Sequence, residues 1–133
     1  MTLTQTISML RDQDRDTLTA TGLNYATSSE AGMTNLVIKG LPVAPGLSRD
    51  TVDLLLRLPL GFPDTAPDMF WVSPFLTTAA GATIPGTEMH EVHVGQTWQR
   101  WSRHTAQQWR PGVDNLETYL AYVRRCLRLA GGR

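Results

Sequence analysis

Apolar and polar positions follow two rhythms along this chain, and the rhythms divide it into elements. In residues 2–19, TLTQTISMLRDQDRDTLT, Leu3, Ile7 and Leu10 recur at helical spacing among acids and threonines, which predicts a short amphipathic helix. Leu23 and Tyr25, then Leu36-Val37-Ile38, predict two strands, with Ser28-Ser29-Glu30-Ala31-Gly32 as the turn between them. Residues 51–58, TVDLLLRL, predict a third strand whose Val52, Leu54, Leu56 and Leu58 share one face. Prolines and Gly61 make a loop of Pro59 to Pro67, and Met69-Phe70-Trp71-Val72 predict a fourth strand.

Residues 73–112 carry few regular signals beyond a short extended segment over Thr87 to Val94. Ordered stretches of that length tend to be functional. Pro111-Gly112 breaks the chain, and Asp114 with Glu117 three residues later predicts a capped helix start. Leu116, Leu120, Val123, Leu127 and Ala130 then form the core-facing seam of a closing helix. With no internal repeat and no linker, residues 1–133 are expected to form one α+β domain.

Composition changes this picture little, whereas the charge distribution adds to it. The formal net charge is zero, which gives no support for nucleic acid or a membrane surface as a partner. Arg100, Arg103, Arg110, Arg124, Arg125, Arg128 and Arg133 crowd the last third against only Asp114 and Glu117. Acids such as Asp12, Asp14, Asp16, Asp64, Asp68, Glu88 and Glu91 weight the earlier part. The split implies intramolecular pairing plus a solvated helix face, or a basic docking surface for an acidic partner. A single cysteine, Cys126, excludes an internal disulfide framework and a cysteine-based metal site. No signal-peptide pattern and no apolar run of spanning length occurs, so a cytoplasmic setting is expected.

The order of parts, a helix, a strand meander, a proline-rich loop, a long irregular crossing and a Trp-x-Pro before a closing helix, resembles the ubiquitin-conjugating enzymes. Two segments carry the resemblance: LPLGFPDTAPDMFWVSP at 58–74, and Trp109-Arg110-Pro111 leading into NLETYLAYV. PDMFWVSP together with WQRWSRH and WRPGVDNLETYLAYVRR is similar more narrowly to the prokaryotic type E branch of that superfamily. The resemblance implies a four-stranded antiparallel meander between an N-terminal helix and a closing C-terminal helix. It also implies a ubiquitin-like modifier and a ThiF-like adenylating enzyme as partners, no cofactor, and gene sets concerned with defence against phage. The sequence departs from the pattern in two places. It has no His-Pro-Asn, and the position roughly eight residues before Trp109, where the reactive cysteine belongs, falls on Trp101 and Ser102.

Ser102 and His104 are therefore the candidate catalytic pair. A serine nucleophile needs a base within reach, and residues two apart share a side of an extended segment. Ser102 would accept the modifier's terminal acyl group as an oxyester, with His104 as its base and Arg103 holding the loop. Alternatively, Ser102 caps a turn and His104 pins it through a backbone carbonyl, leaving a fold that only binds modifier and activating enzyme. Trp98 and Trp101 flank the position and are candidates to line a groove for an extended tail, while Trp109 is expected to wedge the closing helix against the sheet. His90 and His93, with Glu91 or His104, form a possible metal set, although H-x-x-H on a strand points the two rings apart. Cys126, beside the helix seam, reads as a buried small hydrophobe. The final Gly131-Gly132 resembles a modifier's own diglycine tail, but Gly131 is better explained as a helix stop.

Overall fold

The structure, a computed structural model, describes residues 10–105 and 107–132. Its elements run α1 (Asp12–Thr21), β1 (Tyr25–Glu30), β2 (Met33–Pro42), β3 (Thr51–Leu58), β4 (Phe70–Ser73), β5 (His90–His93), β6 (Gln96–Trp101) and α2 (Leu116–Ala130). The strands make one sheet in the order β1-β2-β3-β4-β6-β5, with every neighbouring pair antiparallel. The α+β architecture with a helix at each end is as expected, but the strands number six rather than four. The extra pair is the β5–β6 hairpin, and β6 lies between β4 and β5. Its sequence concealed it because both faces of QTWQRW carry an indole beside polar groups. Trp98 is buried on one face, and Gln99 and Trp101 are buried on the other.

Local chemistry sets the element ends. β1 continues through Ser28, Ser29 and Glu30, so the turn before β2 is only Ala31-Gly32. Both of these residues have positive φ, at 54° and 80°. Two left-handed residues match the twist of a tight hairpin, which frees the serines for the edge strand. α1 begins at Asp12, later than expected, where the Arg11 amide donates to the Asp14 carboxylate at 3.1 Å. Leu3 and Ile7 lie outside the described residues, while Leu10 and Leu18 are buried. The cap of α2 is Asn115, not Asp114. Asn115 accepts from the Thr118 amide at 3.0 Å, and Thr118 accepts from the Asn115 amide at 2.9 Å. Asp114 is committed one turn earlier, accepting from the Arg110 amide at 2.8 Å.

The predicted faces then pack as patterned. Val52, Leu54, Leu56 and Leu58 of β3 face Leu116, Leu120, Val123 and Leu127 of α2 within the main core, together with Leu18, Phe70 and Trp101. The opposite face of the sheet holds a smaller cluster of Val37, Leu55, Trp71 and Trp98. Among the described residues, no helix is long and apolar enough to cross a membrane.

Candidate functional site

The β4–β6 pairing does not stop at the last ladder pair, and its continuation builds the site. Within the ladder Phe70 faces Trp101 and Trp71 faces Arg100. Beyond it the Met69 amide donates to the Arg103 carbonyl at 3.0 Å, Asp68 meets His104, and the Thr105 hydroxyl donates to the Pro67 carbonyl at 3.0 Å. These later partners are shifted by one residue, as at a β-bulge. The displaced residue is Ser102. The Arg103 amide donates back to the Trp101 carbonyl at 2.9 Å, which makes Ser102 the centre of a three-residue turn. The Ser102 amide turns away from β4 and donates to the Gly86 carbonyl at 2.9 Å.

This turn alters the expected relation between the catalytic candidates. Ser102 is half-buried, and its hydroxyl makes no hydrogen bond among the described residues. His104 is exposed and directs Nδ1 to Asp68 Oδ1 at 2.7 Å. No hydrogen bond joins Ser102 to His104, because the bulge interrupts the alternation that would have put them on one side. The sequence gives no local sign of Asp68 as a site residue, since its partner is 36 positions away. Met69, beside it, is held in the left-handed region at φ 63°. Its carbonyl accepts from the Tyr119 hydroxyl, so the residue next to Asp68 is tied to both the loop after β6 and α2.

An open cleft of about 550 Å³ lies between the 78–85 segment, the loop after β6 and the second half of α2. Arg103, His104, Tyr122, Arg125 and Cys126 are among its walls. Arg103 is a built feature. Its guanidinium lies over Trp101, 5.1 Å from the ring centroid, and donates to the Ser102 carbonyl at 3.2 Å. Gly86 makes room for it, because a Cβ there would come within 2.6 Å of Arg103 Nη1. Cys126 shares the cleft, which the helix pattern alone did not reveal, although its position next to seam residue Leu127 explains its burial. That burial pushes the thiol pKa up, against the Tyr122 hydrogen bond and the positive charges of Arg103 and Arg125. The Tyr122 phenol is pushed up to about 12, mainly by burial.

Trp98 and Trp101 do not line a groove. Both are fully buried, one in each apolar cluster, because residues three apart on one strand point to opposite faces. The Trp98 indole is engaged by the His93 carbonyl at 2.8 Å and the Trp101 indole by Gln99 at 3.0 Å. Trp109 is half-buried against the core, donates to the Pro63 carbonyl at 2.8 Å and packs edge-on to Tyr119. His90 is stacked on Phe75, with ring centroids 4.0 Å apart. His93 points elsewhere, to Glu91 at 2.9 Å. Glu91 also accepts from Trp71 at 3.0 Å and from Arg100 at 2.8 Å. Among the described residues no three His, Cys, Asp or Glu side chains converge as a metal site.

Of the clustered arginines, Arg100 pairs with Glu91 and Arg110 with Asp114. Among the described residues, no carboxylate pairs with Arg103, Arg124, Arg125 or Arg128.

In comparisons with known proteins, the family model described as prokaryotic E2 family E matches residues 10–130. Neither a curated protein nor a solved structure matches.

Proposed function

Because the chain belongs to prokaryotic E2 family E, a family of ubiquitin-like protein conjugation, we propose that it carries a modifier's acyl group as an oxyester on Ser102. The observation that carries this reading is the Asp68–His104 pair beside a serine whose hydroxyl is not engaged. A carboxylate on Nδ1 fixes the imidazole tautomer and leaves Nε2 as the basic nitrogen. With the modifier's activated terminus brought to Ser102, His104 Nε2 takes the Ser102 proton. The serine oxygen attacks the terminal carbonyl of the modifier, presented as a thioester or acyl adenylate by an activating enzyme. A new C–O bond forms, the thiolate or nucleotide leaves, and the His104 proton returns to the leaving group. The amine of an acceptor then attacks the ester, and Ser102 regains its proton. Catalytic hydrogen bonds often close only in the complex, so the gap between Ser102 and His104 is consistent with a free state. The ThiF-like type of the activating enzyme belongs to the same proposal.

A second reading is favoured by that same gap and by the burial of Trp98 and Trp101. In it the protein docks modifier and activating enzyme without a covalent step. Intact mass separates the two, measured after mixing the protein with its activating enzyme, modifier and ATP, with and without reductant. The carrier gives a reductant-resistant, hydroxylamine-labile increase equal to the modifier, absent in Ser102→Ala and kept in Cys126→Ala. A stable complex with no increase leaves the adaptor. Within this sequence Lys39 is the only lysine, so an isopeptide on the chain itself can form only there.

A further inference from the structure

The geometry points to the cleft at the second half of α2 as a receptor for a free chain-end carboxylate. On this inference, which rests on a ubiquitin-like modifier being the partner, the protein binds the unactivated modifier by its terminal acid. Two guanidinium groups, Arg103 and Arg125, share the cleft walls, and neither has a carboxylate partner among the described residues. Arg103 is held in advance by the Trp101 ring, the Ser102 carbonyl and the absence of a side chain at Gly86. One of its N–H groups is spent on Ser102, and the remaining donors keep the planar fork that matches a carboxylate.

Size decides which acidic partner fits. A cleft of about 550 Å³ has the capacity of a small-molecule site. That volume suits a chain end or a small anion rather than a folded domain. The two positive charges also select by chemical state. A terminal carboxylate is attracted, whereas the same terminus as an ester, thioester or amide has lost its charge. The cleft therefore favours the modifier before activation or after hydrolysis.

The test follows the Arg103 and Arg125 side-chain resonances of the ¹⁵N-labelled protein by NMR. The titrants are N-acetyl-tetra-alanine with a free carboxylate, its C-terminal amide, and inorganic phosphate. The acid is expected to bind at least about tenfold more tightly than the amide. Arg125→Gln, on the exposed helix face, and Arg103→Gln should each weaken the acid about fivefold or more and leave the amide unchanged. Arg128→Gln, outside the cleft walls, should change neither. Equal binding of acid and amide, no saturable binding of the acid, or phosphate binding as tightly as the acid would each overturn the inference. The serine adduct is scored separately. An adduct without acid preference removes this inference alone, and acid preference without an adduct removes Ser102 as carrier while the cleft assignment stands.

Discussion

His104 Nδ1 lies 2.7 Å from Asp68 Oδ1, although 36 residues separate the two in the chain. The contact follows from strand pairing. β4 and β6 run antiparallel through Phe70 and Trp101, and the chain on either side stays zipped as far as Pro67 and Thr105. A one-residue shift at the end of the ladder then puts Ser102 at a turn and brings His104 level with Asp68. A strand pair that bulges next to a site re-aims side chains in this way.

On the proposed carrier reading Asp68 positions His104, so Asp68→Asn should separate chemistry from folding. Both side chains are at least half exposed, and an exposed pair of this kind contributes less than about 1 kcal/mol to stability. Adduct formation on Ser102 should nonetheless fall on the order of a hundredfold, the usual worth of an oriented general base. Urea denaturation measures the first quantity and the rate of the mass increase the second. ¹⁵N shifts of the imidazole add a readout that a purely structural role would not move, because loss of the carboxylate redistributes the ring tautomers. An unchanged tautomer together with an unchanged rate would remove Asp68 from the site.

Cys126 should behave as a buried neutral thiol and not as a second carrier. Burial raises its pKa above the ordinary 9.0, and the hydrogen bond from Tyr122 and the charges of Arg103 and Arg125 only partly offset this. The thiolate is therefore scarce at neutral pH. Alkylation by iodoacetamide, followed by mass, should accelerate with a midpoint above pH 9. The sign for stability follows. The unfolded chain loses its thiol proton at lower pH than the folded one, so this group's contribution is full below about pH 9 and declines above it. A midpoint well below 9 would make Cys126 a reactive group and reopen the choice of nucleophile.

What could be read from the chain follows a physical line. β3 was legible to its ends because one strand face, Val52 to Leu58, is wholly apolar, and the α2 seam was legible because a helix repeats its buried face along itself. β6 was not, since each of its faces mixes an indole with Gln or Arg, and Gln99 and Arg100 reach partners on other segments. Gln99, for example, is bonded to the Leu76 backbone at 2.9 Å on both its oxygen and its nitrogen. Ser102 and His104 could be singled out by type and place, but their mutual geometry depends on a bulge, and a bulge leaves no mark on alternation. Asp68 and the cleft position of Cys126 depend on pairings across tens of residues, which no local period encodes.

Glu91 should make part of the fold acid-sensitive. Burial alone would raise its pKa, but hydrogen bonds from His93, Trp71 and Arg100 and the Arg100 charge bring it below the ordinary 4.5. A carboxylate held low in the folded state contributes fully above about pH 4.5 and loses that contribution as the pH falls through its lowered value. Glu91→Gln should cost about 1–2 kcal/mol at pH 7, because Trp71 can still donate to an amide oxygen while Arg100 loses its charge partner. The variant should also show a shallower fall in stability below pH 4.5. Parallel acid curves for the two proteins would mean that the hub does not titrate as assigned.

The last two glycines of the described chain should respond very differently to a methyl group. A Cβ on Gly131 would lie 2.3 Å from the Pro45 carbonyl oxygen, and a Cβ on Gly46 would lie 2.1 Å from the Gly131 oxygen. The end of α2 and the turn before β3 therefore touch backbone to backbone, with no flexible side chain between them to yield. Gly132 has open space around it and only a positive φ of 83°. Gly131→Ala is expected to cost about 2–3 kcal/mol, the range for forcing extra volume into a packed contact. Gly132→Ala should cost about 1 kcal/mol, the strain of a left-handed residue. Urea midpoints at constant m value measure both. A diglycine end acting as a free modifier tail would be indifferent to Gly131→Ala, so a loss at Gly131 clearly larger than that at Gly132 would mark Gly131 as part of the packed helix end.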